Sequence, residues 1–380
     1  ICLTNIIKPH LHSPDKIGHH MSTTNTSIKQ KTVLLVGAGA VGATIASWIA
    51  PNHNKFYVLD QGETLEAIEK NGIFSYLQHN EDKGEKCSIK TVENFANCPA
   101  PDVILLCVKN YSLDGLSKAI INAYGEDCAK NTIIVGLQNG VENQQILPQY
   151  FSNVVYGIIS FNAWLDEPGI VGYQAKGPFI FGTPDNSLQS EVKIVADIFN
   201  QGVEAIASDH FQDAALSKMI VNLTNSFTTL MGLGYRDIDN PSKFQKILSQ
   251  LTFEGVNIVK ASGHKECKVG DIPSWFLMGA SARLPQFLTR KLFEKNVKKM
   301  VVSSMAQDII QNGRSDNELE GINGYLLAMA DKYNVDAPYN RAIYQLCQEE
   351  FVKPNFKPIS VSEVWQRMNL DGKQQSLRSA

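Results

Sequence analysis

From Thr32 to Ala207 short apolar runs alternate with amphipathic stretches. Val33–Val36, Phe56–Leu59, Val103–Val108, Thr132–Val135 and Val154–Ile159 predict strands, and Gly169–Gln174, Pro178–Gly182 and Ala205–Ala207 predict shorter ones among Gly and Pro. Val103–Val108 is apolar throughout, as expected of a parallel strand covered on both faces. Helical spacing follows Val36 as far as Ala50, then covers Thr64–Asn71, Leu113–Tyr124, a start at Asn143, and Val192–Gln201. Such alternation specifies an α/β fold with a doubly wound parallel sheet. After His210 the strand pattern stops. Phe211–Met231, Pro241–Ser262, Ser274–Phe293, Val297–Gln311, Glu318–Tyr333, Arg341–Phe351 and Val361–Asn369 predict helices.

The turn after the first strand carries chemistry. Gly37-Ala38-Gly39-Ala40-Val41-Gly42 joins that strand to a helix, the context in which a G-x-G-x-x-G run binds a dinucleotide. Gly37 permits the tight turn, Gly39 lets a pyrophosphate approach the backbone, and Gly42 lets helix and strand pack closely. Ala40 and Val41 open the helix, whose free N–H groups face the phosphates. The expected organisation is a leader over residues 1–30, a Rossmann-type domain over 31–209, an all-helical domain over 210–370 and a polar tail over 371–380. Ligand is expected between the two domains, outside the carboxyl ends of the strands.

Composition narrows the class. A net charge of −3 removes the case for a nucleic-acid or anionic-membrane partner. No apolar run reaches the roughly 18 residues that span a bilayer. The seven cysteines are scattered, with no C-x-x-C pair, which fits a reduced cytoplasmic protein without a zinc site or disulfide framework. Four of the eight histidines, His10, His12, His19 and His20, fall in the leader, which is excluded from the fold as a disordered segment.

In the helical half, Lys218 is the only charged residue between Ala214 and Tyr235. Asn222, Asn225 and Thr229 follow it at helical spacing, with Leu216, Met219, Ile220, Leu223, Phe227 and Leu230 around the rest of the helix. A solvated stripe usually carries several charges, so this one is expected to line a cleft. A lysine beside a nicotinamide would stabilise the charge that hydride transfer leaves on a ketone oxygen, and would donate the proton. Burial lowers a lysine pKa and eases that donation. Further on, Ser303-Ser304-Met305 falls within a predicted helix, and Glu318 follows a turn-like Asn312–Asn317 stretch.

These blocks resemble the ketopantoate reductases (2-dehydropantoate 2-reductases) over most of residues 32–350. The resemblance rests on the glycine motif, Cys107-Val108-Lys109, Leu137-Gln138-Asn139-Gly140, Lys218-Met219-Ile220-Val221-Asn222, Ser303-Ser304-Met305-Ala306-Gln307-Asp308, and Glu318 ahead of Gly321-Ile322-Asn323-Gly324. It implies reduction of ketopantoate to pantoate by NADPH, on the route to pantothenate and coenzyme A. It implies Lys218 as proton donor, Asn222, Ser304 and Glu318 as residues that bind or orient substrate, and Asn139 and Lys109 against the cofactor. Three departures stand out. Ser226 replaces a second substrate asparagine, with Asn225 beside it pointing elsewhere, and Arg236 replaces a third. Asp60-Gln61-Gly62-Glu63 stands where an arginine usually receives the NADP 2′-phosphate.

Asp60 lies 18 residues beyond Gly42, where an acid accepts bonds from the adenosine ribose hydroxyl. The expectation is therefore NAD(H), against the family habit of NADP(H), unless Lys109 reaches the 2′-phosphate pocket. Two rival readings remain: a β-hydroxyacid dehydrogenase with a similar Lys-x-x-x-Asn helix, and a nicotinamide-binding regulator without turnover. The partner expected is a small 2-oxo acid.

Overall fold

Two-residue alternation fixes where the core sits. Leu34, Val36, Ile104, Leu106 and Ile134 enter one apolar cluster, while Val33, Leu35, Val103, Leu105, Ile133 and Val135 enter a second on the opposite face. The computed structural model describes residues 28–370 apart from 271, 298–299 and 315–316. The leader up to Ser27 and the tail over 371–380 lie outside the described residues. Ile28, placed with the leader above, is buried in the second cluster, so the core already includes it.

The strands in chain order are β1 (Val33–Val36), β2 (Phe56–Leu59), β3 (Ile73–Leu77), β4 (Glu85–Cys87), β5 (Lys90–Val92) and β6 (Val103–Leu106). They continue with β7 (Ile133–Gly136), β8 (Val154–Ile159), β9 (Ala163–Glu167), β10 (Ile170–Tyr173), β11 (Phe179–Gly182) and β12 (Ala205–Ala207). Eight form one sheet in the order β12-β11-β8-β7-β6-β1-β2-β5. Pairing is parallel throughout except between β8 and β11. The order reverses at β1 and β6, where a crevice opens at the strands' carboxyl ends. This is a doubly wound, Rossmann-type sheet.

A second sheet, β4-β3-β10-β9, was not foreseen, and neither was β5. Glu85–Cys87 and Lys90–Val92 are short, polar and largely exposed, and Ala163–Glu167 ends on two acids, so none shows the apolar run that marks a strand. β3 follows α2 (Gly62–Asn71, after α1, Ala40–Ile49) directly after Gly72, whose φ of +70° ends the helix; the Asn71-Gly72 pair was the signal that could have marked it.

The helices continue with α3 (Leu113–Asn131, interrupted at Gly125, φ +79°), α4 (Gln189–Phe199), α5 (Phe211–Asn222), α6 (Thr224–Met231) and α7 (Pro241–Ala261). After them come α8 (Trp275–Arg283), α9 (Gln286–Val297), α10 (Tyr325–Lys332), α11 (Pro338–Phe351) and α12 (Val361–Met368). The run expected over Phe211–Met231 is divided at Leu223, and that over Ser274–Phe293 is broken at Leu284-Pro285. The helix expected from Val297 begins only at Ser304, as a single turn that runs into a π-helix over Gln307–Gln311. A second π-helix, Glu320–Gly324, precedes α10. Among the described residues no helix is long and apolar enough to cross a membrane, no group of three or more His, Cys, Asp or Glu could hold a metal, and all six cysteines are free thiols.

The helical half is joined to the sheet by one core. Phe211, Leu216, Met219, Ile220 and Leu223 belong to the same cluster as Leu34 and Ile104. α7 carries a buried acid, Glu254, which accepts from Tyr339 N (3.0 Å), Asn340 N (2.9 Å) and Asn340 Nδ2 (2.8 Å). It thereby caps α11, whose own N-cap, Ala337, has no side-chain acceptor. Burial pushes the Glu254 carboxyl up to about 7, with the three N–H donors pulling against it. A raised carboxyl stabilises the fold most at low pH, and that contribution fades as pH climbs through 7. Glu254→Ala is expected to cost about 3 kcal/mol in urea unfolding, through lost bonds to buried donors. The cost should be larger at pH 5 than at pH 8; equal costs at both would remove the titration argument.

Candidate active site

The glycine turn is built as its spacing suggests. Gly37 adopts φ +95°, open to glycine at no cost. A Cβ on Gly42 would lie 1.8 Å from the Gly37 carbonyl oxygen and 3.1 Å from Cys107 Cβ, so α1 can approach β1 and β6 only with glycine there. A Cβ on Gly39 would meet nothing within 4 Å, so this side of the turn is open. Gly39 is the N-cap of α1, which has no side-chain cap and no acid in its first turn, leaving the N–H groups near Ala40 and Val41 to an anionic ligand. A pyrophosphate fits these features. Asp60, at the end of β2, is half-buried and bonded to the turn itself: Oδ2 accepts from Ala38 N at 2.5 Å and Oδ1 from Gln61 N at 2.7 Å. A carboxylate has about four acceptor positions, so each oxygen retains one.

Beyond the turn lies a cavity of about 800 Å³, lined from both halves of the chain. Gln138 Nε2 donates to Leu106 O (2.8 Å) and Val108 O (3.0 Å), tying the end of β7 to that of β6. Asn110 Nδ2 donates to Asn139 O at 3.2 Å and fixes the next residue. The Asn139 side chain then bridges two groups: Lys218 Nζ donates to its Oδ1 at 3.0 Å, and its Nδ2 donates to Glu318 Oε2 at 3.4 Å. Burial lowers Lys218 from its ordinary value to about 8, with the Glu318 carboxylate pulling it back up. Lys109, three residues beyond the end of β6, donates to Asp308 Oδ2 at 2.8 Å and lies 3.7 Å from Glu318 Oε1. Burial pulls Lys109 down, but Glu318 and Asp308 outweigh it and hold it above its ordinary value.

Lys218, Asn222, Ser304, Glu318, Asn139 and Lys109 all line this cavity, and Val41 of the glycine turn reaches it. Two expectations need correction. Lys109 is held at the cavity by carboxylates of the helical half, so it does not stand ready to compensate for Asp60 at a 2′-phosphate. The polar stripe of α5 and α6 reaches the cavity at Lys218, Asn222 and Asn225, whereas Thr229 is buried against Ser303, Oγ1 to Oγ at 3.2 Å. Ser303 caps the helical turn through Ala306 N, and Ser304 follows as its first residue.

The departures at Ser226 and Arg236 also look different in three dimensions. Ser226 is fully buried, donating to Leu223 O at 2.9 Å and accepting from Asn323 Nδ2 at 3.0 Å. The neighbouring Asn225, expected to point elsewhere, is the one at the cavity. Arg236 is exposed and donates to Pro358 O at 3.0 Å. Sequence reasoning missed Asp308, whose only signal was its place in the Ser303–Asp308 block. It also missed the apolar wall of Phe161, Trp164, Met300 and Val302, of which the last two lie in the irregular chain ahead of Ser304 rather than in the expected helix.

A glycine turn for a dinucleotide, facing a half-buried lysine across an interdomain cavity, defines a nicotinamide-dependent oxidoreductase. The chain belongs to the ketopantoate reductase family: models described as "Ketopantoate reductase PanE/ApbA" and its C-terminal counterpart match residues 33–186 and 210–350. The 2-dehydropantoate 2-reductase of Pyrococcus horikoshii is 25% identical over 316 residues, covering 83% of this chain and 95% of that protein. That of Streptococcus pyogenes serotype M1 is 25% identical over 319 residues, covering 83% and 96%. Among solved structures, D-mandelate dehydrogenase with NADH and anilino(oxo)acetate superposes with a TM-score of 0.66 at 22% identity, covering 86% of this chain and 100% of that one. The family ketopantoate reductase of Ralstonia eutropha gives 0.64 at 21%, covering 84% and 97%.

The Gly42 contact supplies a test of the cofactor site. Gly42→Ala must displace the Gly37 carbonyl, so it is expected to weaken binding of the reduced cofactor by tenfold or more in a fluorescence titration. Unchanged affinity would show that the turn does not hold the dinucleotide.

Proposed function

We propose that this chain reduces the ketone of 2-dehydropantoate to the alcohol of pantoate, on the route to pantothenate and coenzyme A. The observation that carries the reading is Lys218, half-buried on the cavity wall, bonded to a neutral amide and lowered to about 8. The cofactor domain is taken to end at residue 209 and the catalytic domain to begin at 210.

The glycine turn and α1 would hold the pyrophosphate, and a bound nicotinamide would supply the hydride. Lys218 keeps a proton on Nζ inside the cavity. Passing it to the ketone oxygen neutralises the charge that develops there and leaves an amine still bonded to Asn139. Asn222 and Ser304 hold the substrate's polar groups without adding charge, and Asn225 is added to them because it shares the cavity wall. Glu318 reaches Lys218 only through Asn139, which favours an orienting part. A non-catalytic regulator would have no use for a lysine in this state. A second reading, another 2-oxo acid with a large apolar side chain, is favoured by the wall of Phe161, Trp164, Met300 and Val302. An oxidation assay over a panel of branched and aromatic 2-oxo acids separates the two.

Lys218→Ala is expected to lower turnover by about two to four orders of magnitude, the range for losing a general acid. The dissociation constant of the reduced cofactor should stay within about threefold, since the phosphate site lies on the other domain. Wild-type kcat should fall above pH 8, because the group that must carry the proton has lost it. Near-native turnover in the variant would remove Lys218 from the mechanism.

For the cofactor, NADH is favoured. The Asp60 carboxylate is fixed at the glycine turn. At 4 Å two unit charges repel by about 4 kcal/mol at an effective dielectric of 20. NADH is expected to bind at least tenfold tighter than NADPH in parallel titrations, with the gap narrowing as salt screens the repulsion. A tenfold preference for NADPH would overturn this.

A further inference from the structure

Two carboxylates compete for one cation at the back of the cavity. Lys109 stands between Asp308, at 2.8 Å, and Glu318, at 3.7 Å, so the close pair is with Asp308. Glu318 turns its other oxygen to Asn139, and Asn139 to Lys218. The groups form a row: Asp308, Lys109, Glu318, Asn139, Lys218. Asp308 is buried in the π-helix and sits behind Lys109, with Arg314 3.7 Å from its second oxygen. Asp308 is thus flanked by two cations, with the closer contact to Lys109.

We infer that Asp308 is a positioning residue for the proton donor: by engaging Lys109 it keeps that cation from closing on Glu318, and so leaves the Glu318 charge to act on Lys218 through Asn139. The inference rests on the reading of Lys218 as general acid. Without Asp308, Lys109 has one carboxylate left within reach. It would move from 3.7 Å into a close pair with Glu318 and neutralise it. Lys218 would then lose the negative charge that favours its ammonium form. Other titratable groups do not mask this. On the cavity side Lys218 is faced by Cys107, Lys109 and Glu318, and on its other side by Tyr156; Glu142 lies beside Glu318. Burial raises both the Cys107 thiol and the Tyr156 hydroxyl, so neither ionises near neutral pH.

The test is the pH dependence of kcat in the full-length enzyme with saturating reduced cofactor. In Asp308→Asn, which keeps the side-chain shape, the basic limb should move down by about half a pH unit or more, through loss of a nearby opposite charge. That shift is about a threefold loss of rate above pH 8. Rate at pH 6 should stay within about twofold of wild type. Asp308→Glu, which keeps the charge, should restore the limb. Asp308→Ser, neutral and small, should shift it in the same direction and serves if the Asn variant does not fold. A merely structural part for Asp308 would lower the rate equally at every pH and leave the limb in place, and that result overturns the inference. If the wild-type limb survives in Lys218→Ala, or is absent, the reading of Lys218 falls and this inference with it. A limb that depends on Lys218 but ignores Asp308 sinks the inference alone.

Discussion

Removing an ammonium from water costs several kcal/mol unless its charge is answered, and the cleft is arranged around how that is done at Lys218. The answer is partial. Its hydrogen-bond partner is the amide oxygen of Asn139, which satisfies a donor without fixing a proton, and the nearest carboxylate lies one side chain further away. The ammonium form is thus tolerated but not locked. Lys109, in the same cavity, shows the other outcome. It touches carboxylates directly, and its proton is held harder than in water. One residue type in one cavity is driven in opposite directions by amide and carboxylate partners.

This division depends on the two halves meeting. Asn139 is set by the sheet, through Gln138 and Asn110, whereas Lys218 comes from α5 and Glu318 from the segment before the second π-helix. None of the three has its environment within its own half. The continuous core between the sheet face and α5 holds them in register.

How far the sequence foretells this varies with the kind of signal. The eight-stranded sheet was nearly complete in the pattern, because buried parallel strands must be apolar on both faces. Only Lys90–Val92, at one edge, escaped, since its first two residues are polar and Val92 alone enters the core. Of the four-stranded sheet only β10 shows in the pattern, within Gly169–Gln174; its edge strands, Glu85–Cys87 and Ala163–Glu167, carry too many polar residues. Lys218 was legible because a lone charge among amides is chemically odd. Asp308 was not, since an acid within a helical block is ordinary until Lys109 is found beside it, 199 residues away in sequence. Asn225 reaches the cavity because Leu223 keeps helical dihedrals (φ −55°, ψ −30°), so the spacing from Lys218 through Asn222 to Asn225 holds, and Ser226 turns into the core.

The bond from Ala38 to Asp60 ties two properties of the enzyme together. On the proposed reading, the carboxylate that would select the nucleotide also braces the turn that would bind any nucleotide, so the two could not be altered independently. Exchange of Asp60 for a cation would invite a 2′-phosphate while releasing the Ala38 N–H and placing positive charge beside the amide it once held. A lineage moving between the two coenzymes would therefore pass through intermediates that bind neither well, unless a second acceptor for Ala38 arose first. Coenzyme choice would then be a property of the loop as a unit, and its evolution contingent on the order in which substitutions come.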